Sequence, residues 1–166
     1  MSIIIGIDPG LSGTGYGIIE KKNSILCHIA HGVIKTEART PTGMRLVSIA
    51  HQLKKVLEIY SPKQAAVETL YFAKNIKSAL PVAQVRGLII YLLADFGIEP
   101  GEYTPLQVKQ AVVGRGRAEK QQIQAMLKMI FGLSEIPSPD HAADALAIAF
   151  CHSNCLTVTA QYKLAR

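Results

Sequence analysis

Little in this sequence suits an oxidising or membranous setting. Only three cysteines occur among 166 residues, Cys27, Cys151 and Cys155, too few for a disulfide scaffold. The opening Met-Ser-Ile-Ile-Ile-Gly has no basic n-region and no small-residue cleavage site, so no secretory signal is expected and a reducing cytoplasm is the expected location. The longest apolar run, Leu88 to Phe96, is broken by Asp95 and is too short for a bilayer. Charged residues are sparse at 18% while hydrophobic ones reach 49%, a balance that excludes a disordered chain. Tryptophan is absent and aromatics amount to 6%. Acids are also few, 12 against 18 Lys and Arg, which leaves a net charge of +6. A basic, aromatic-poor chain suits a polyanionic partner, nucleic acid first, although such a charge also serves plain solubility.

Repeats, low-complexity tracts and linkers are missing too, and the length predicts one domain (1–166) around a single core, with a frayed tail at its end. Ile3 to Asp8 reads as a buried strand stopped by Pro9-Gly10, followed by strands over Gly15 to Glu20 and Ile25 to Ile34. Leu46, Ile49, Leu53, Val56, Leu57 and Tyr60 recur at helical spacing over Met44 to Tyr60. Ala65 to Leu70 is a short apolar strand, Ser78 to Phe96 a long helix with Pro81 near its start, and Ile98 to Tyr103 a fifth strand. Thr104-Pro105 opens a helix to Val113, Ala118 to Phe131 is amphipathic, and Ser138-Pro139 starts a last helix ending near Cys155. Three strands, then helices alternating with two more, predict an α/β mixed five-stranded sheet with helices on both faces.

The informative feature is where the carboxylates lie. Asp8 ends a strand of isoleucines, Glu68 ends one of alanine and valine, and Asp144 interrupts Ala142-Ala143-Asp144-Ala145-Leu146-Ala147. Singly, each is best read as a salt-bridging or capping acid. Together, on elements a mixed sheet could gather, they suit a hard cation such as Mg2+ or Mn2+, because a desolvated charge must be paired. His141 stands three residues before Asp144 and shares its helix face, which makes it a ligand or proton-transfer candidate. Asp140 falls in the first turn, where the helix dipole favours an acid in any case. The glycine-rich segment Gly6 to Gly17 is neither a P-loop nor a dinucleotide fingerprint, lacking Gly-Lys-Ser/Thr and the required glycine spacing. Cys151, His152 and Cys155 have no second ligand pair for a zinc clip and read as buried helical thiols around a histidine. Tyr71 to Lys77 mixes aromatics with Lys74 and Lys77, which suits stacking on bases and pairing with phosphates. Lys109, Arg115, Arg117 and Lys120 surround a glycine turn suited to phosphate.

Five stretches in order carry a resemblance. They are Ile4 to Gly17, Val67 to Asn75, Gln84-Val85-Arg86-Gly87, Gln107 to Gly114, and Asp140 to Ala147. With them the chain resembles, over nearly its whole length, the RuvC family of bacterial Holliday-junction resolvases, which have a ribonuclease H-like fold. The resemblance implies a homodimeric, metal-dependent endonuclease that nicks opposing strands of a four-way DNA junction symmetrically. It implies Asp8, Glu68, His141 and Asp144 as catalytic metal ligands for two Mg2+ ions, with Mn2+ able to substitute. Asp8 would bridge the ions. Where some members carry Asp at the third position this chain has His141, and Asp140 remains a substitute for that slot. Tyr71 would touch bases at the junction centre, and Lys109 and Lys120 would lie near the scissile strand. The helix bearing Arg86 would form part of the dimer interface, and a RuvA–RuvB branch-migration complex would be a partner. A ribonuclease H-like RNA-processing nuclease and a non-catalytic junction-binding protein are the alternatives.

Overall fold

A computed structural model describes residues 1–23, 25–69, 76–116 and 118–164; for residues 76–78 and 157–164 it describes the backbone alone. The elements are β1 (Ser2–Asp8), β2 (Gly13–Lys22), β3 (Ile25–Lys35), α1 (Thr42–Tyr60), β4 (Gln64–Glu68), α2 (Ile76–Asp95), β5 (Pro100–Tyr103), α3 (Pro105–Val113), α4 (Lys120–Phe131) and α5 (Asp140–Leu164). They build one sheet in the order β3-β2-β1-β4-β5. β1 and β3 each run antiparallel to β2, whereas β1, β4 and β5 are parallel. This is the expected mixed, ribonuclease H-like α/β architecture. Among the described residues no helix is long and apolar enough to cross a membrane.

Strand alternation divides the core. Ile5 and Ile7 of β1, with Ala65 and Val67 of β4, pack toward α1 and α2, whereas Ile4 and Ala66 pack toward α3, α4 and α5. Successive side chains in a strand point to opposite faces. Asp8 and Glu68 therefore fall on the α5 face, in phase with Ile4 and Ala66. The register pairs Ile7 with Val67, so the two acids end neighbouring strands. Ile4, Ile5 and Ile7 are fully buried, each contributing about 2 kcal/mol of hydrophobic stabilisation.

The alanines of α5 meet glycines of the sheet. A Cβ on Gly17 would lie 2.6 Å from Leu146 Cα, and one on Gly15 would collide with the His141 carbonyl. Only glycine admits so close a backbone approach. Helix α5 consequently sits low on β1 and β2, with Ala142, Ala143, Ala145 and Leu146 fully buried. Elsewhere local chemistry sets the boundaries. Thr104 caps α3 in a reciprocal capping box with Gln107, Pro105 takes the first turn, and Gly114 closes the helix in the left-handed conformation.

Several boundaries differ from expectation. β4 ends at Glu68, and Leu70 lies outside the described residues. β5 spans only Pro100–Tyr103, because Gly97 and Ile98 cap α2 by bonding back to Ala94 and Leu93. α2 begins at Ile76, which puts Pro81 inside the helix rather than in its first turn. α4 starts at Lys120 behind Glu119, whose side chain and Gln122 form a capping box. α5 starts at Asp140, since Ala142 and Ala143 N–H donate to the Pro139 carbonyl, so Ser138 is not its cap. It continues to Leu164 instead of stopping near Cys155.

Candidate active site

The parallel strands β1, β4 and β5 end together, and the first turns of α5 and the start of α4 overhang those ends. Strand ends of this kind are where α/β proteins place ligands. Asp8 is 8% exposed. Its Oδ2 lies 2.6 Å from His141 Nδ1. With Asp8 ionised the carboxylate can only accept, so His141 Nδ1–H donates. Burial pushes the Asp8 carboxyl up, and the His141 hydrogen bond and charge pull against that shift.

Glu68, at the end of β4, is the acid whose carboxyl is pushed furthest at this end of the sheet. Burial, then repulsion from Asp8 and Asp144, pushes its carboxyl from 4.5 up to about 7, with Lys109 and Lys120 offsetting part of the rise. Three acids thus sense one another across the strand ends. Glu68, Lys109 and Asp144 also line a cavity of about 50 Å³ with Pro105, Val108, Ile123 and Ala147. Lys120 Nζ lies 3.0 Å from Asp144 Oδ2 and 3.4 Å from an Asp140 oxygen. Asp140 also accepts from Gln124 Nε2 at 3.1 Å. It is therefore His141, one residue later on α5, that reaches Asp8, while Asp140 turns to α4.

Asp8 meets His141, Glu68 senses both Asp8 and Asp144, and Lys109 and Lys120 lie beside them. Lys120 was anticipated as a DNA contact only, yet it is a counter-ion of Asp144 and Asp140. Arg115 is exposed on the turn after α3. Tyr71, Lys74 and Arg117 lie outside the described residues, and only the backbone of Lys77 is described. The expectation of buried thiols holds for Cys151, whereas Cys155 is exposed. The histidine between them, on α5, is tied to the sheet: Tyr103 Oη lies 2.9 Å from His152 Nδ1, and Gln64 Oε1 lies 3.3 Å from its Nε2. Burial lowers the pKa of His152. This fits a neutral ring that accepts from Tyr103 and donates to Gln64, bracing the strand whose Tyr103 pairs in register with Glu68.

The donor set fits a divalent cation. His141 and Lys120 now occupy carboxylate oxygens of Asp8 and Asp144, and among the described residues no three His, Cys, Asp or Glu side chains converge at metal-ligand spacing. Burial, then repulsion from Asp8 and Asp144, still raises the Glu68 carboxyl after Lys109 and Lys120 have offset part of the rise. Oxygen donors with one imidazole suit Mg2+ or Mn2+.

Comparison with known proteins agrees with this geometry. The family model of crossover junction endodeoxyribonuclease RuvC matches residues 4–152. The chain belongs to the RuvC family. A curated RuvC of Petrotoga mobilis is 49% identical over 152 residues, covering 92% of this chain and 93% of its own. That of Treponema pallidum is 48% identical over 155 residues, covering 93% and 79%. Thermus thermophilus RuvC, solved in complex with a Holliday junction substrate, superposes with a TM-score of 0.90 at 32% identity, covering 96% of this chain and 97% of that one. One buried charge near the site has no warning in the local sequence chemistry. Arg45 is buried beside the β1–β2 turn, and its spacing to Ile49, Leu53 and Leu57 on the buried stripe of α1 could have revealed it.

Proposed function

We infer that this chain, a metal-dependent endodeoxyribonuclease of the RuvC family, resolves Holliday junctions with a site made of Asp8, Glu68, Asp144 and His141. What supports the site assignment is the 2.6 Å contact of His141 Nδ1 with Asp8 Oδ2 at the end of β1, with Glu68 ending the neighbouring strand β4 and Asp144 one turn beyond His141 on α5; burial, then Asp8 and Asp144, raises the Glu68 carboxyl to about 7. Cations held there, two Mg2+ in this reading with Mn2+ able to substitute, would supply a nucleophilic water and stabilise charge on the phosphoryl oxygens.

The chain's own groups divide the remaining work. Asp8, central among the acids, accepts from His141 and is fixed in orientation by that bond. Glu68 must lose its proton to ligate, so its raised pKa links loading of the site to pH. Lys120 neutralises Asp144, and with a cation held by Asp144 its ammonium would be free to pair with the phosphate backbone. Lys109 faces Glu68 across the small cavity and supplies a second cation at the scissile strand. Tyr71, Lys74, Lys77, Arg115 and Arg117 extend the DNA-binding surface in this reading.

Cleaving two opposed strands symmetrically needs two sites. Leu80, Gln84, Gly87 and Tyr91 form one exposed face of α2, with Leu80 59% and Tyr91 66% exposed. The spacing is that of a single helical stripe, and a second copy of the chain is its proposed partner. Cooperation with RuvA–RuvB and a cytoplasmic location complete the reading.

The deciding experiment offers a mobile four-way junction, matched linear duplex and structured RNA with Mg2+ or Mn2+. Paired nicks in the junction alone are expected. Preferential cutting of RNA, or junction binding without nicking under either ion, would overturn the assignment. Asp8→Asn is expected to abolish nicking while junction binding stays within about threefold, because basic groups supply the affinity.

A further inference from the structure

The geometry points to a second DNA-binding feature, a backbone-phosphate subsite built on Arg45 and Ser12 beside the acidic cluster. It rests on the nuclease reading above and extends it to a residue outside the metal set.

Arg45 sits in the first turn of α1 and is 8% exposed. Its Nε donates to Thr36 Oγ1 at 2.7 Å, and its Nη2 donates to Ser12 Oγ at 3.0 Å. Both acceptors are neutral hydroxyls. Among the described residues no carboxylate forms an ion pair with this guanidinium. A cation so far withdrawn from water calls for an anion, and here the fold provides none. Arginine has five N–H donors in a planar fork, and two are spent on the hydroxyls. Among described side chains only Arg86 Nε is both buried and unpaired, so Arg45 Nη1, which makes neither of these bonds, reaches solvent.

The surroundings narrow the ligand. Thr36 donates its hydroxyl to the Leu11 carbonyl at 2.6 Å and its N–H to the Ser12 carbonyl at 3.3 Å. Arg45 is thereby fixed to the turn that joins Asp8 to β2. That turn lies against His141, since a Cβ on Gly13 would be 3.2 Å from the imidazole Cδ2. Ser12 itself is exposed, as are Lys35, Glu37 and Arg39 around the end of β3, so cations prevail there. A pre-fixed guanidinium fork beside a hydroxyl matches a phosphodiester oxygen pair better than a soft or neutral ligand. Its position beside the turn assigns it a phosphate flanking the scissile one.

The test measures junction affinity without metal between 50 and 300 mM salt, for the wild type, Arg45→Gln and Arg45→Lys. One lost phosphate contact should lower the slope of log affinity against log salt by about 0.9 in Arg45→Gln. Arg45→Lys should retain the slope but bind several-fold more weakly, because an ammonium keeps charge and loses the fork. An unchanged slope in a folded Arg45→Gln protein would overturn the subsite and leave Arg45 as a brace for the turn. Should Arg45→Gln fail to fold, single methylphosphonates flanking the scissile position are read on the wild type and Arg45→Lys. One position should weaken the wild type several-fold and Arg45→Lys markedly less; equal penalties at every position would also overturn the subsite. Neither failure touches the nuclease reading, which stands or falls on wild-type nicking.

Discussion

Glu68→Gln should stabilise the metal-free protein while destroying its activity. In the folded chain the Glu68 carboxyl is pushed from 4.5 to about 7 by burial and by its acidic neighbours. Each pKa unit corresponds to about 1.36 kcal/mol, so ionised Glu68 costs the fold about 3 kcal/mol above pH 7, or nearer 2 where solvent screens it. The sign follows from linkage. A carboxyl with a raised folded pKa binds its proton more tightly in the native state, so stability rises as pH falls from about 7 toward 4.5 and is lost on the way back up. Glutamine never ionises and escapes the penalty. In EDTA at pH 8 the variant should unfold with a free energy about 2–3 kcal/mol above wild type, a gain of roughly 5–10 °C in Tm for a chain of this size. The gain should vanish near pH 4.5. Saturating Mg2+ or Mn2+ should narrow or reverse the order at pH 8, since a ligand held at 100 times its Kd adds about 2.7 kcal/mol to the protein that binds it. Urea unfolding at both pH values, with and without metal, reads all of this. A variant less stable than wild type at pH 8 in EDTA, or a difference independent of pH, would refute the electrostatic account.

The same shift predicts that binding Mg2+ or Mn2+ at pH 6.5 releases about three-quarters of a proton, measurable by calorimetry in buffers of different ionisation enthalpy; release well below half a proton would contradict it. Gly17→Ala should cost about 1–3 kcal/mol, because its Cβ would lie 2.6 Å from Leu146 Cα and α5 must lift off the sheet; denaturant unfolding decides. Nicking should then fall further than stability alone requires, since α5 carries His141 and Asp144. Tyr91→Glu, on the exposed stripe of α2, should yield a monomer in analytical ultracentrifugation that still melts near the wild-type temperature and no longer makes paired nicks.

The five-strand order of elements was legible because strand and helix periodicity leave different marks: the isoleucines of β1, the α1 stripe and the Thr104-Pro105 start are local signals with local causes. Helix ends were less legible. The start of α5 turned on which carbonyl accepts the Ala142 and Ala143 amides, and the end of β4 on where pairing with β5 runs out, neither of which is encoded in a short window. The acids stood out because charge in an alanine or isoleucine context is costly wherever it is placed. Their mutual repulsion, the Lys120 counter-ion and the His141–Asp8 hydrogen bond were invisible, since each depends on groups far apart in sequence.

Sequence by itself thus determined the elements, the mixed sheet and a short roster of acids, because backbone propensity and apolar spacing act over a few residues. The tertiary structure alone decided which of those acids share a site and what each charge faces. Electrostatic energy depends on distance through the folded protein, and the 133 residues separating Asp8 from His141 close to 2.6 Å only when α5 settles onto the glycines of the sheet. Arg45 makes the same point from the other side: an ordinary basic residue in the sequence becomes, once buried without an acid, a cation waiting for a phosphate.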